Sequence, residues 1–458
     1  MVFSSTVFLF IFLPAVLIIY YNPLIKSRNF KNVFLLIASL AFYAWGEPEF
    51  VLLMCLSVLV TYMIGNLICR NNSKKWLAAG IIYHITVLFI FKYLTFFLSE
   101  MGLLFGFKSS VQLELPIGIS FFTFQMMSYL FDVYYGKAEP QRNPLNVGLY
   151  VSLFPQLIAG PIVRYEQISS EITSRKESFE DLIEGMKRFI YGLGKKVLIA
   201  NYVALIADNI FDYIEVRSVA LVWLGAVAYT LQIYFDFSGY SDMAIGLGRM
   251  FGFHFLENFN YPYIAHSVTD FWRRWHISLS SWFRDYVYIP LGGNRVSRSR
   301  WIMNLLTVWL LTGIWHGANW TFLIWGLFYF VVLLFEKLSG TDKRKSIISR
   351  LYTLFAVICA WVIFRSPDLS SGIRYLGNMF GVGASGIADA TFFEYIGNTY
   401  IVLIIAVIGA TPLVRAVFNK LGKVKMAWIE DVWLAAVFVL AILKTVNSTY
   451  NPFIYFNF

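Results

Sequence analysis

Apolar runs follow one another along almost the whole chain, and they restrict the fold more than any other feature of the sequence. Eleven such runs can be drawn, at 7–21, 33–45, 50–69, 76–98, 115–135, 186–205, 219–235, 302–335, 352–364, 393–413 and 432–446. A hydrocarbon core of about 30 Å takes roughly 20 apolar residues per helix. The runs are longer than barrel strands and lack two-residue alternation, so they predict membrane-spanning helices.

The composition agrees with this interpretation. Hydrophobic residues make up 58% of the chain and charged residues 14%, too few to cover a soluble surface. We therefore predict an all-α, polytopic helical membrane protein of about 11–12 spans, with re-entrant or interfacial helices around a central tunnel. Residues 1–458 are expected to form a single membrane domain, with an N-terminal span group (1–135), a motif-bearing core (136–350) and a C-terminal span group (351–458).

The chain carries 37 Lys and Arg against 27 Asp and Glu, a net charge of +10. In a soluble protein this excess would suggest nucleic acid. Here it fits the positive-inside rule, so membrane lipid is the expected partner and nucleic acid is not. Basic connectors alternate with acidic or sparse ones. Placing the basic connectors in the cytoplasm predicts a multi-pass protein of the bacterial cell membrane, with an extracytoplasmic N-terminus.

Two segments do not fit simple spanning helices. The segment 145–163 is apolar but is interrupted by Pro155, Gly160 and Pro161, and 259–300 is rich in both Trp and Arg. Such segments usually re-enter the membrane or lie along its surface, where protein or water satisfies the backbone.

The stretch from Trp301 to Phe335 contains no Asp, Glu, Lys or Arg, yet it holds His316. As one helix it would run about 52 Å, whereas two spans would want roughly 40 residues. We predict a broken pair of short helices whose junction, near Gly313 and Gly317, faces outward and holds His316 in a recess. His316 is a candidate general base. The alternative is a core histidine that bonds across helices.

A region rich in charged residues and tryptophan runs from Asp270 to Arg300 and holds six arginines and two aspartates. Arginine pairs bidentately with phosphate and Trp faces can stack on flat rings, so a cytoplasmic site for a nucleotide-bearing donor is one hypothesis. An interfacial helix that binds lipid head groups is the other. The candidate binding residues are Trp272, Arg273, Arg274, Trp275, Trp282, Arg284 and Asp285.

Two motifs carry a resemblance to a known family. They are Trp272-Arg-Arg-Trp-His276, continuing to Trp282-Phe-Arg-Asp-Tyr-Val-Tyr-Ile-Pro-Leu-Gly-Gly-Asn294, and Thr312-Gly-Ile-Trp-His-Gly-Ala-Asn-Trp-Thr321. The chain resembles the membrane-bound O-acyltransferase superfamily, and within it the alginate O-acetyltransferase type. The opening Met1-Val-Phe-Ser-Ser and closing Pro452-Phe-Ile-Tyr-Phe are also similar, so the resemblance covers essentially the whole chain.

The resemblance implies transfer of a short acyl group, usually acetyl from acetyl-CoA, toward an extracytoplasmic acceptor, with no bound cofactor. It makes His316 the catalytic histidine and His276 a second recurrent residue. Acyl transfer to a hydroxyl needs a base, a role that suits a neutral imidazole. The predicted topology puts His276 among arginines on the cytoplasmic side, so we expect it to position thioester or phosphate. A structural role is the alternative.

Two further polar residues lie in or directly beside the apolar runs. Asp236, in a polar break of an apolar run, is similar to a recurring family position and is expected to line a cavity and orient an arginine or histidine. Asn319 could hold the imidazole tautomer of His316 or contact the acyl carbonyl, with helix capping as the alternative.

The leading hypothesis is an acyltransferase for O-acetylation of a cell-surface polysaccharide or exopolysaccharide. The resemblance also implies a separate extracytoplasmic acetyltransferase as partner and a polysaccharide acceptor. D-alanyl transfer to teichoic acid is an alternative within the family, although the stretch Ile289-Pro-Leu-Gly-Gly-Asn294 favours the acetylating type. A transporter of an acyl donor or glycan is an alternative from another class, since broken helices also mark transport sites.

Overall fold

The computed structural model describes residues 1–71, 73–213, 217–421, 423–447, 450, 453 and 454. These residues form helices, turns and loops and contain no strand, which confirms the predicted all-α class. Of the closing motif, Phe453 and Ile454 are described, whereas Pro452 and residues 455–456 lie outside the described part.

The chain divides into two compact units. The first comprises Met1–Phe189 and Tyr240–Leu256, and the second Ile190–Gly239 and Glu257–Phe458. Every candidate site residue from the sequence lies in the second unit.

The first unit is built from helices joined by short connections. They are Leu13–Tyr20, Arg28–Ala44, Phe50–Asn71, Lys74–Leu88, Leu94–Phe105, Ile119–Tyr134, Pro144–Ser152, Phe154–Leu157 and Tyr165–Ser174, with π-helical turns at Phe8–Phe12 and Phe89–Tyr93. The helices Phe179–Gly194 and Val219–Met250 contribute residues to both units.

The second unit holds the remaining helices. They are Asn201–Asp208, Val268–Trp272, Ile277–Phe283, Arg298–His316, Trp320–Ser339, Ile347–Arg365, Leu369–Met379, Ala390–Gly409, Leu413–Leu421 and Lys423–Asn447. Short π-helical segments at Lys195–Ala200, Asn209–Tyr213 and Arg284–Tyr288 and 3₁₀ turns at Pro262–Ile264 and Thr341–Lys343 complete it.

Seven helical stretches in the described part are long and apolar enough to cross a membrane. They are Phe50–Asn71, Lys74–Phe105, Phe179–Asp212, Val219–Met250, Trp320–Ser339, Ile347–Arg365 and Ala390–Gly409. In the most apolar window of Ala390–Gly409 only 6% of residues are buried, as a lipid-facing helix requires. The protein is a polytopic helical membrane protein. Other apolar runs form helices of 16 or 17 residues, such as Ile119–Tyr134 and Arg28–Ala44.

The charge-free stretch folds into two helices, Arg298–His316 and Trp320–Ser339. Both extend beyond the stretch into polar residues, so each has 19 or 20 residues and the expectation of two short halves is wrong. The break lies at 317–319, and Gly313 is helical. Gly313 serves close packing instead, because a Cβ there would lie 2.4 Å from the Phe322 carbonyl oxygen of the second helix. Gly326 meets the Trp309 carbonyl in the same way.

The two segments predicted to be irregular fold into helices of nine residues or fewer, including Pro144–Ser152 and Ile277–Phe283. The buried carboxylate of Glu336 anchors one of them. It accepts hydrogen bonds from the backbone N–H groups of Val268 and Thr269, at 2.7 and 2.8 Å, and from the Thr269 hydroxyl. The anion thus satisfies the first donors of the Val268–Trp272 helix.

Candidate active site

His316 ends the Arg298–His316 helix and is 4% exposed. Its ring lies 5.0 Å from Trp325 and 5.1 Å from Phe364, both in edge-to-face contacts, and 6.5 Å from Phe322. The imidazole is therefore enclosed by aromatic rings at the junction between two helices. This burial comes from the packing of rings and not from the shortness of the helices.

His276 precedes the Ile277–Phe283 helix and is completely buried. Its backbone has φ 44° and ψ 54°, in the left-handed region that costs a non-glycine residue roughly 1–3 kcal/mol. Its ring lies 4.6 Å from Phe237. Burial lowers the pKa of His276 to about 3, so the ring is neutral near pH 7.

The indole of Trp315 lies against both histidines. Its ring is 6.0 Å from that of His276 and 5.0 Å from that of its neighbour His316. The sequence placed His276 among arginines, apart from His316. The structure instead joins the two imidazoles through Trp315 in one cluster of aromatic rings, which we call the aromatic chamber; it also contains Phe237 beside His276 and Trp325 and Phe364 beside His316.

A cavity of about 270 Å³ lies beside this chamber. Phe322 and Phe364, which contact the His316 ring, also line the cavity. The other lining residues are mostly polar, namely Asp208, Tyr229, Gln232, Asn319, Thr321, Arg365, Ser366, Pro367 and Ile454. The cavity is large enough for a small hydroxyl-bearing group; its lining does not include His316 but includes two of the rings that contact it, Phe322 and Phe364.

Arg365 supplies the positive charge in the cavity wall. Its Nη2 atom donates to Asp208 at 2.7 Å and to Asp212 at 2.8 Å. The guanidinium also lies 4.8 Å from the centre of the Phe211 ring. The Tyr450 hydroxyl also donates to Asp208. Because two carboxylates surround one guanidinium, the wall does not present a free positive charge.

Asn319 lines the cavity but acts as a helix cap. Its Oδ1 accepts from the Thr321 backbone N–H at 3.0 Å, and its Nδ2 donates to the Pro367 carbonyl at 2.8 Å. Both ends of the amide are thus engaged with backbone. The arrangement matches the capping alternative and leaves the expected contact with the imidazole or acyl carbonyl unsupported.

Asp236 pairs with a lysine, and the expected arginine or histidine is not its partner. Its Oδ1 lies 2.5 Å from the Lys196 Nζ, with both side chains 3% exposed, and its Oδ2 accepts from the Ile454 backbone N–H at 2.8 Å. Asp236 thus connects Lys196 to the segment that holds Ile454, a residue of the cavity wall. The partner was not predictable because the pairing joins distant positions in sequence.

The three tryptophans of the 270–300 region are buried in the protein. Trp272 packs edge-to-face on Trp309 at 4.8 Å, Trp275 lies against Trp361 at 4.9 Å, and Trp282 packs against Tyr286. The exposed fraction of each tryptophan is 7% or less. The structure therefore gives no support to the prediction that they stack on the flat ring of a donor.

The arginines of the same region lie on its outside. Arg274 pairs with Asp270 at 3.0 Å and Arg284 with Asp285 at 2.6 Å, whereas Arg273, Arg295, Arg298 and Arg300 are exposed. The segment thus has an aromatic inner side and a basic outer side. Phosphate binding by the outer side remains compatible with this arrangement.

Sequence reasoning did not single out Asn258, Trp315, Glu336 or Arg365. Asn258 and Glu336 bind the irregular segment that carries His276, and Arg365 ends a helix beside the cavity. Trp315 carried a signal, because it directly precedes the histidine of the charge-free stretch. The other three act through contacts between distant parts of the chain.

Comparisons with known proteins place this chain in a family. The model of the membrane-bound O-acyltransferase family matches residues 38–373, which include both histidines and the helix break. The chain is 39% identical to a probable alginate O-acetylase of Pseudomonas putida and 33% identical to a peptidoglycan O-acetyltransferase of Helicobacter pylori. Both matches cover all of this chain, and they cover 100% of the Pseudomonas relative and 98% of the Helicobacter relative.

A teichoic acid D-alanyltransferase of Bacillus subtilis is 31% identical over 50% of this chain and 61% of its own length. The family model covers most of this chain, and the two O-acetylating relatives match it over its full length. The chain is therefore an enzyme, an O-acyltransferase that belongs to the membrane-bound O-acyltransferase family.

Proposed function

We propose that this protein transfers an acetyl group from cytoplasmic acetyl-CoA to a hydroxyl on the extracytoplasmic side of the bacterial cell membrane, for O-acetylation of a cell-surface polysaccharide or exopolysaccharide. The observation that carries the proposal is the position of His316, buried in an aromatic chamber beside a polar cavity. The full-length relatives named for alginate and peptidoglycan O-acetylation support the acetyl group and the glycan class.

In this mechanism His316 is the general base. The acceptor hydroxyl oxygen attacks the thioester carbonyl carbon while its proton passes to the imidazole. The carbon–sulfur bond then breaks, and the leaving thiolate takes up the proton to give free coenzyme A. A positioned base of this kind contributes about 10²–10⁴ in rate.

His276 would position the thioester end of the donor. A neutral ring among Phe237 and Trp315 cannot attract a phosphate by charge, which favours the thioester over the phosphate as its ligand. The donor phosphates would instead meet the exposed arginines of the 273–300 region. A central tunnel would join the two substrate entrances, and the N-terminus would lie outside.

The acceptor could be the glycan itself or a separate extracytoplasmic acetyltransferase that passes the acetyl group on. D-alanyl transfer is less well supported, because the teichoic acid relative matches only half of the chain.

The test uses purified protein in sealed liposomes, with radiolabelled acetyl-CoA outside and an alginate or peptidoglycan oligosaccharide inside. The proposal expects free coenzyme A outside and alkali-labile acetyl ester inside, at matching rates. Liposomes without acceptor are the control. Ester formation with D-alanyl thioester but not acetyl-CoA would favour the teichoic acid alternative. Movement of intact acetyl-CoA or glycan without ester formation would make the protein a transporter and overturn the proposal.

A further inference from the structure

The Asn258 side chain binds the segment that holds His276. Its Oδ1 accepts from the Ser278 backbone N–H at 3.1 Å and from the Ser278 hydroxyl at 2.8 Å, and it lies 3.2 Å from Nδ1 of His276. Asn258 is 1% exposed. The Ile277 backbone N–H also donates to the Asn258 carbonyl, at 3.0 Å.

The orientation of this amide is determined by the backbone. A backbone N–H is always a donor, so the atom of Asn258 that faces Ser278 N must be the carbonyl oxygen. The same oxygen faces Nδ1 of His276. An unprotonated Nδ1 would place two lone pairs against each other at 3.2 Å, whereas a protonated Nδ1 donates a hydrogen bond.

We propose that Asn258 is a positioning residue that fixes His276 as the Nδ1–H tautomer, so that Nε2 carries the lone pair and serves as a hydrogen-bond acceptor. This extends the proposed function, because it defines what His276 can bind. An Nε2 acceptor recognises an N–H or O–H donor. In the proposed reaction such donors are the amide groups of the pantetheine arm and the acceptor hydroxyl.

Three observations beside the hydrogen bond support the proposal. The left-handed backbone of His276 is the kind of strained conformation that clusters at functional sites. Four neighbours of the ring, Phe237, Trp315, Asn258 and Ser278, are uncharged. Burial also lowers the His276 pKa, so that a single neutral tautomer can persist over the working pH range.

The test is nitrogen-15 NMR of the full-length protein, labelled at histidine and held in lipid nanodiscs. Loss of one signal set in His276→Gln identifies the residue. The proposal expects a neutral ring protonated at Nδ1 from pH 5 to pH 8. Asn258→Leu should move the ring toward the Nε2–H tautomer, whereas Asn258→Asp should keep Nδ1–H and raise the pKa.

Ser278→Ala is the matched control, because it leaves both the Ser278 backbone N–H and the Asn258 side chain in place and should not change the tautomer. A native ring protonated at Nε2, a charged ring at pH 7, or an unchanged tautomer in folded Asn258→Leu would overturn the proposal. If Asn258→Leu does not fold, the spectra of the native protein and of Asn258→Asp still show which nitrogen of His276 is protonated.

Acetyl transfer by the same variants separates this inference from the function on which it rests. Asn258→Leu should lower kcat by about tenfold or more, and the kcat of Asn258→Asp should lie between those of Asn258→Leu and the native protein. Full activity of His276→Gln would refute the role of His276 in the proposed reaction, while the NMR result would still decide the tautomer.

Discussion

The imidazole of His276 and the indole of Trp315 lie 6.0 Å apart in an edge-to-face contact, and Trp315 directly precedes His316. The two motifs that carry the family resemblance thus meet at one tryptophan. The irregular segment after Glu257 brings the first histidine to this point, and the end of the Arg298–His316 helix brings the second.

Trp315 should control the geometry of the chamber. We expect Trp315→Ala to lower acetyl transfer by about 10²-fold, because small displacements of reacting groups cost this much, and to destabilise the fold by about 3–5 kcal/mol. Trp315→Phe keeps an aromatic ring and should retain most activity. Kinetics and thermal unfolding in detergent measure the two effects. Native rates in a folded Trp315→Ala protein would refute this role.

The crossing of the helix pair should depend on two glycines. Gly313→Ala and Gly326→Ala each place a Cβ 2.4 Å from a carbonyl oxygen, so we expect a loss of about 1–3 kcal/mol in unfolding free energy. Gly397→Ala is the matched control. That glycine also lies in a helix, but nothing lies within 4 Å of its added Cβ, and stability should be unchanged or slightly higher. Equal effects at all three positions would contradict this account.

The pair formed by Lys196 and Asp236 should reveal itself in a double-mutant cycle. Asp236→Asn removes the carboxylate that lies 2.5 Å from the buried Lys196 ammonium, which should cost about 3–5 kcal/mol. Adding Lys196→Met should recover much of this loss, since the lysine charge of the pair is then removed as well. Denaturant unfolding of the four proteins gives the coupling energy. Additive losses would mean that the two residues do not interact.

The burial of His276 predicts a dependence of stability on pH. The folded-state pKa is about 3, below the ordinary 6.5, so the unfolded chain binds the proton more readily. Stability should be fully present above pH 6.5 and fall between pH 6.5 and 3, by at most about 1.4 kcal/mol per pH unit. In His276→Gln this contribution should vanish. The melting temperature is measured against pH for the native protein and for His276→Gln, and the difference between the two curves isolates this contribution. Identical curves would contradict the low pKa of His276.

The exposed arginines should act on donor binding and not on chemistry. Arg273→Ala should raise KM for acetyl-CoA several-fold with kcat unchanged, and the effect should weaken at high salt. Arg274→Ala is the comparison, because Arg274 is already paired with Asp270 and its removal should change KM less. A fall in kcat without a change in KM for Arg273→Ala would argue against a donor-phosphate role.

The sequence predicted the helical class and the helix break at His316, because the length and charge of apolar runs determine both. It did not predict which face of the 259–300 region was buried. Trp and Arg in alternation are typical of an interface as well as of a packed segment, and only tertiary contacts put Trp272 inside and Arg273 outside. The partners of His276 and Asp236 were not predictable for the same reason, since Asn258 and Lys196 meet them only in the folded chain.

The central claim is that His316 is the base for acetyl transfer. The direct measurement is the rate of acetyl ester formation in liposomes for His316→Ala, compared with His254→Ala. The control histidine belongs to the first compact unit, pairs with Glu171 and has a side chain that is 52% exposed. We expect a loss of about 10²–10⁴ for His316→Ala and little change for His254→Ala. Ester formation at the native rate in His316→Ala would contradict the account.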